Sequence, residues 1–403
     1  MPISRNTTIG LRSEMNILFL LRSLDIGGVE VVTAVLANKF LAEGHKVGVF
    51  AFEERSGKVK NRFDERISIT IGQGYRVSKE NVARLRELLI YDKVDVVINQ
   101  WGLPLIPLKT LSKARAGLGV KVISVYHNDP LQNGRVQSVE AAMLRTENVL
   151  KKSILRLKQL LFRCITGYAM RMNYQHSDCF EVLSPSFVDH FKQFVKLRNA
   201  SKLIVQTNPV TLNSDGFGYD ACRKRQEIVY VGRVDFMQKR VHRVIETWAQ
   251  LEHRFPDWQL TIVGDGEERE NIERMTKDLE LQRVSFEGFQ QPRVYYERAS
   301  LLILTSEFEG FPLVLAEAMS FGVVPVVYGS YSAVYDIIED GKDGFIVEKN
   351  VSGFNAAQMA ERMAYLMADA QRLSQMALAA IDKSMNYSID KIYGQWMNVM
   401  SEM

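Results

Sequence analysis

Cysteine is scarce: among 403 residues there are three, Cys164, Cys179 and Cys222. They form no C-x-x-C pair, which excludes a disulfide framework and a thiolate zinc site and leaves reduced thiols of a cytoplasmic protein as the expectation. Long apolar runs are also missing. Stretches such as Ile17–Leu21 and Leu301–Leu304 are strand-sized, far below the ~20 residues that span a bilayer. Met1 to Glu14 is polar, so no signal peptide is expected there, only a loose extension before the first patterned segment at Met15. The chain has no G-x-G-x-x-G, P-loop, H-E-x-x-H or G-x-S-x-G, so nicotinamide, kinase, metal-hydrolase and serine-hydrolase readings have no anchor. Nor has it an Asp-x-Asp to hold a metal on a diphosphate. Neither a metal nor a cofactor is expected.

What is present is a globular composition, 46% apolar and 24% charged, long enough for two domains. Net charge is +4, but residues 1–210 carry +13 and residues 211–403 carry −9. The basic half points to an anionic partner, or to two surfaces solvated unequally. No nucleic-acid partner is expected.

Short apolar runs alternate with amphipathic stretches. Strands are predicted at Asn16–Arg22, Val47–Phe52, Asp95–Asn99 and Lys121–Tyr126, with helices at Val29–Glu43 and about Leu105–Ala116. The pattern restarts with strands at Glu227–Val231, Gln259–Val263, Val284–Phe286, Leu301–Thr305, Val324–Tyr328 and Gly344–Val347, and helices at Val241–Phe255 and Pro312–Phe321. Such alternation predicts an α/β protein of two doubly wound parallel sheets. The domains are expected at 1–210 and 211–387, with a linker near Asn208–Gly218. Ligands of such sheets bind beyond the carboxyl ends of the strands, so one cleft between two facing domains is expected.

Four strand ends carry candidate chemistry. In Thr305–Met319, a loop with Glu309 and Gly310-Phe311 leads into a helix opened by Pro312 and Leu313 and bearing Glu317. Proline suits a first helical position, and the N–H groups and dipole of a first turn attract phosphate. Two acceptors flanking a phosphate site suit a nucleotide sugar; a capping carboxylate and a solvent-facing Glu would look the same. Gly232-Arg233 to Lys239 follows another strand, and its two cations could clamp a diphosphate or simply be solvated. Asp25-Ile26-Gly27-Gly28 allows close backbone approach. His127, in Tyr126–Pro130, could hydrogen-bond a sugar or be structural.

Together with Val263–Gly266 and Glu287–Phe289, these segments resemble glycosyltransferase family 4, the retaining GT-B enzymes, over Asn16 to about Trp396 and closest to those building bacterial lipopolysaccharide and capsular polysaccharide. The resemblance implies a metal-independent transfer from a UDP- or GDP-sugar to a saccharide or lipid-linked saccharide. Arg233 and Lys239 would bind the leaving diphosphate, Glu317 the ribose, and Glu309 with the Gly310-Phe311 backbone the donor sugar. The backbone near Phe289 would border the base, His127 would touch the donor sugar near the reacting carbon, and Gly27-Gly28 would line the cleft opposite the phosphates. The last helix, about 388–403, would pack back on the first domain. Lys239 lies six positions after Arg233 where the family spacing is commonly five, and Pro312 replaces a frequent Gly. A nucleotide-sugar epimerase or hydrolase of the same fold, and a non-catalytic sugar-binding protein, are the alternatives.

Within Leu150–Tyr168, the residues Leu150, Ile154, Leu157, Leu161, Cys164, Ile165 and Tyr168 recur at helical spacing, with Lys151, Lys152, Arg156, Lys158 and Arg163 off the stripe. This is the pattern of a helix lying on the anionic inner face of the cell membrane, or of one packed on its own sheet.

Overall fold

The computed structural model describes residues 14–403 apart from 26, 133, 145, 213 and 215. The expected extension before Met15, Ile26 of the glycine loop and two positions of the expected linker thus lie outside the described residues, Glu14 excepted. The first elements are β1 (Asn16–Ser23), α1 (Gly28–Ala42), β2 (Lys46–Glu53), β3 (Ser68–Ile71), α2 (Lys79–Tyr91), β4 (Val96–Asn99), α3 (Leu105–Ala114) and β5 (Lys121–Tyr126). Next come α4 (Gly134–Leu144), α5 (Val149–His176), β6 (Cys179–Val182), α6 (Phe187–Val195) and β7 (Leu203–Val205). The pattern restarts at β8 (Glu227–Val231), α7 (His242–Ala249), β9 (Gln259–Val263), α8 (Arg269–Asp278), β10 (Val284–Gly288), α9 (Arg293–Arg298), β11 (Leu301–Leu304), α10 (Leu313–Ser320), β12 (Val324–Gly329) and α11 (Ala333–Ile337). It closes with β13 (Phe345–Glu348), α12 (Ala356–Met367), α13 (Ala370–Ser384) and α14 (Ile389–Ser401).

Two sheets form, ordered β3-β2-β1-β4-β5-β6-β7 and β10-β9-β8-β11-β12-β13. The order reverses beside β1 in one and β8 in the other, the switch points where doubly wound sheets bind ligands. The central strands β1, β4, β8 and β11 are almost wholly buried and rich in Leu, Ile and Val, as strands covered on both faces must be. The expected two-sheet α/β architecture is thus observed. The chain divides into two compact units. One holds the chain through Val125 with Met172–Phe180 and Glu402–Met403; the other holds Tyr126–Arg171 and Glu181–Ser401.

Two helices are shorter than the sequence pattern predicts. α7 ends at Ala249 rather than Phe255, because Gln250 to Arg254 continue as separate turns. α10 begins at Leu313, and Pro312, with ψ 91°, is its N-cap and not its first helical residue.

The stripe read within Leu150–Tyr168 lies on α5. Leu150, Ile154, Leu157, Leu161, Ile165 and Tyr168 are all exposed, Leu150 at 77%, as is Cys164. The helix does not pack this stripe on its own sheet. Its last turns are anchored: Thr166 and Met170 are buried, and the Asn173 amide donates to the Leu103 carbonyl at 2.9 Å. No helix among the described residues is long and apolar enough to cross a membrane.

Candidate active site

The loops after β8, β9 and β11, in the second unit, carry most of the candidate residues. After β8 the backbone runs against the loop after β9: Gly232 N–H donates to Val263 O at 3.0 Å, and Val234 N–H to Asp265 O at 2.9 Å. A Cβ on Gly264, whose φ is +150°, would stand 1.8 Å from Gly232 O, so the two loops can lie this close only with glycine there.

Asp235 organises the Arg233–Lys239 loop. Its Oδ1 accepts from the Gln238 and Lys239 N–H groups at 2.7 and 3.0 Å, and its Oδ2 accepts from Arg233 Nε at 2.8 Å. Burial opposes ionisation of this carboxyl, but these hydrogen bonds outweigh it and hold its pKa below the ordinary value. These hydrogen bonds close a turn between Arg233 and Lys239, and Arg240 follows it at φ 54°. Arg233 is left 63% exposed on its side chain. Tyr230 supports the loop from below, its hydroxyl donating to Arg233 O at 2.8 Å.

Lys239 Nζ donates to Glu309 Oε1 at 2.6 Å, with the two side chains only 15% and 7% exposed. Gln238 Nε2 donates to Glu309 Oε2 at 3.2 Å and to Phe308 O at 3.3 Å. The glycine after Glu309 fixes a second close approach: a Cβ on Gly310 would lie 2.0 Å from the His127 carbonyl oxygen. The loop bearing Glu309 and the strand end bearing His127 are thereby in van der Waals contact. His127 is partly exposed, and burial pushes its imidazole down to about 4, so the ring is neutral at neutral pH. Asp129 braces this strand end, its Oδ1 accepting from Leu131 N–H and facing His190 Nδ1, each at 2.9 Å.

The remaining candidates divide. Phe311 is buried with its ring 5.4 Å from that of Tyr387, so it offers backbone and not side chain. Phe289 is 67% exposed beyond β10, as a residue bordering a base would be. Pro312 and Leu313 open α10, with Leu315 N–H turned back to Pro312 O at 2.9 Å. Glu317 is buried and accepts from the Thr211 hydroxyl. Gly27, the N-cap of α1, and Gly28 belong to the first unit. Asp235, Gln238, Tyr230, Asp129 and Thr211 escaped the sequence reading. Only Asp235, two residues past the Gly-Arg pair, could have been suspected as an Asx cap.

Among the described residues, no group of three or more His, Cys, Asp or Glu is placed to hold a metal ion. The geometry therefore offers two cations, a helix N-terminus, a buried carboxylate held by one of those cations, and a neutral imidazole.

Comparison with known proteins places the chain in a family. The family described as "Glycosyltransferase Family 4" matches residues 26–213, and "Glycosyl transferases group 1" matches residues 220–383. An uncharacterised glycosyltransferase of Haemophilus influenzae is 32% identical over 179 residues, 44% of this chain and 49% of that protein; the match thus spans about half the length of that relative. A lipid-linked-saccharide α-1,4-N-acetyl-D-galactosaminyltransferase of Campylobacter jejuni, whose name specifies a diphospho-undecaprenol acceptor, is 24% identical over 96% of this chain and 99% of its own. The structure of HepE of Anabaena in complex with UDP superposes with a TM-score of 0.73 at 17% identity, covering 96% of this chain and 100% of that one. The chain belongs to glycosyltransferase family 4 and has the GT-B fold of two Rossmann-like parallel-sheet domains.

Proposed function

We propose that this protein transfers a sugar, with retention of configuration, from a nucleoside-diphosphate donor to a saccharide or lipid-linked saccharide in bacterial surface-polysaccharide synthesis. The observation that carries the reading is the buried Lys239–Glu309 pair, 2.6 Å apart, beside the contact of Gly310 with His127. Cleaving the donor leaves negative charge on its diphosphate. Lys239, Arg233 and the N-terminus of α10 are the groups that stabilise it. As the diphosphate draws Lys239 away, the Glu309 carboxylate is released to accept from the sugar hydroxyls. His127, neutral, adds a hydrogen bond near the reacting carbon, and Glu317 exchanges Thr211 for the ribose. The test is a panel of UDP- and GDP-sugars screened by binding, then assayed with and without acceptor. Nucleotide release that is independent of any acceptor would replace transfer by hydrolysis or epimerisation.

The same reading makes the diphosphate site independent of metal, supported by the cations at 233 and 239. Activity is expected to survive excess EDTA. Complete loss, restored by magnesium or manganese, would show that a metal carries the diphosphate.

The exposed stripe of α5 supports an acceptor taken at the inner face of the cell membrane. A bilayer with anionic lipid is the partner that matches both features of this surface: apolar side chains for its acyl boundary, and Lys151, Lys152, Arg156, Lys158 and Arg163 for its charge. At roughly 1 kcal/mol per basic residue, five hold the protein reversibly. The protein is expected to float with vesicles containing anionic lipid at low salt, and replacement of Lys151, Lys152, Arg156 and Lys158 by Gln to abolish flotation. Wild-type protein that never floats, or a variant that floats unchanged, would overturn this role.

A further inference from the structure

A pocket of about 390 Å³ opens beside the Lys239 loop, at the carboxyl ends of β11, β12 and β13, and the donor-site reading does not use it. Its wall holds three cations around one carboxylate. Arg243 and Lys349 meet Glu307 at 2.7 and 2.9 Å, and Arg240 approaches it at 4.0 Å. The three cations come from two separate parts of the chain: Arg240 and Arg243 from the turn into α7, and Lys349 from the segment after β13. The guanidinium of Arg243 sits against an edge-to-face aromatic pair, 5.2 Å from the Tyr328 ring centroid and 5.1 Å from that of Phe354, and that of Arg240 sits 4.7 Å from the Phe236 ring. Aromatic packing fixes these cations at their places, as a binding site requires and a solvated surface does not. The second acid of the lining, Glu140, is exposed at the rim and accepts from Gln159 of α5 at 2.6 Å. Inside the pocket three positive charges therefore face a single negative one.

The geometry points to a second anion site here, for a phosphoryl group carried by the acceptor, distinct from the diphosphate of the donor. It rests on the transferase reading for the source of the phosphate. Two charges of excess suit a phosphate monoester or diphosphate better than the single charge of a sugar carboxylate, and two guanidinium forks match phosphoryl oxygens. Glu307 holds the cations together and is displaced on binding.

Two substitutions separate this from chance charge. Calorimetric titration with inorganic pyrophosphate, after saturation with the cognate nucleoside diphosphate to fill the donor site, is expected to show binding. Lys349→Gln, at a side chain 47% exposed, should weaken it about 5–10-fold, the loss of one charged hydrogen bond. Glu307→Gln, by removing the competing anion, should tighten it several-fold. Responses of opposite sign identify the pocket. No pyrophosphate binding to the nucleotide-saturated protein, equal binding by both variants and wild type, or stronger binding of glucuronate than of pyrophosphate would overturn it. Nucleotide binding is measured first on the same protein. Its absence would overturn the donor reading while the pyrophosphate titrations of the two variants still decide the pocket.

Discussion

Arg233→Ala and Glu309→Ala are each expected to lower kcat/KM for the cognate donor by about 10²–10³-fold, the usual cost of losing one preorganised charged contact to a transition state. The two variants have different structural consequences. Arg233 is 63% exposed and ties down only Asp235 and Gln238, so its loss leaves the fold intact. Glu309 is 7% exposed and neutralises Lys239, itself 15% exposed; truncating it strands a poorly solvated ammonium. Glu309→Gln keeps the shape and the hydrogen bond while removing the charge, and thermal unfolding of all three variants separates lost catalysis from lost folding. Near-normal turnover in Arg233→Ala and Glu309→Gln would remove both residues from the site.

The second large effect is expected from a single methyl group. In Gly310→Ala the new Cβ would lie 2.0 Å from the His127 carbonyl oxygen and 3.1 Å from Asn128 Cα. Both obstacles are backbone, so the loop carrying Glu309 must retreat by about 1 Å. Overpacking of this kind costs ~1–3 kcal/mol. A displacement of that size at a reacting centre costs ~10² in rate. Gly394→Ala is the matched control: it lies in α14 with nothing within 4 Å of the added atom, and is expected to be neutral or to stabilise by up to ~1 kcal/mol. Wild-type kcat in Gly310→Ala would mean that the contact between the Glu309 loop and the His127 strand end is not kept during turnover.

Much of this was legible in the sequence because it is local. Runs such as Ile17–Leu21 and Leu301–Leu304, bounded by glycine and charge, specify buried strands whatever surrounds them, and their alternation with amphipathic stretches specifies a parallel sheet. The outer strands of the first sheet, Ser68–Ile71 at one edge and Cys179–Val182 with Leu203–Val205 at the other side, were not foreseen, being three or four residues long and without a distinctive period. Glycines at 232, 264 and 310 were visible as letters. What each meets was not, since Gly264 answers to Gly232 across two loops and Gly310 to His127 across 183 positions. The pairing of Lys239 with Glu309 is likewise a contact over 70 residues that no spacing encodes. The periodicity of α5 fixed a helix with an apolar stripe, but periodicity is the same for a stripe that faces a core and one that faces water. The packing of the rest of the chain, which buries Thr166, Ala169 and Met170 of α5 and leaves the stripe from Leu150 to Tyr168 exposed, decides which way it faces. So the sequence by itself determined the elements, the two-sheet class and the residue types gathered at strand ends. Which of those residues touch, which are shielded, and which apolar face stays open were decided by tertiary structure, because burial and long-range approach are properties of the packed chain and not of any segment within it.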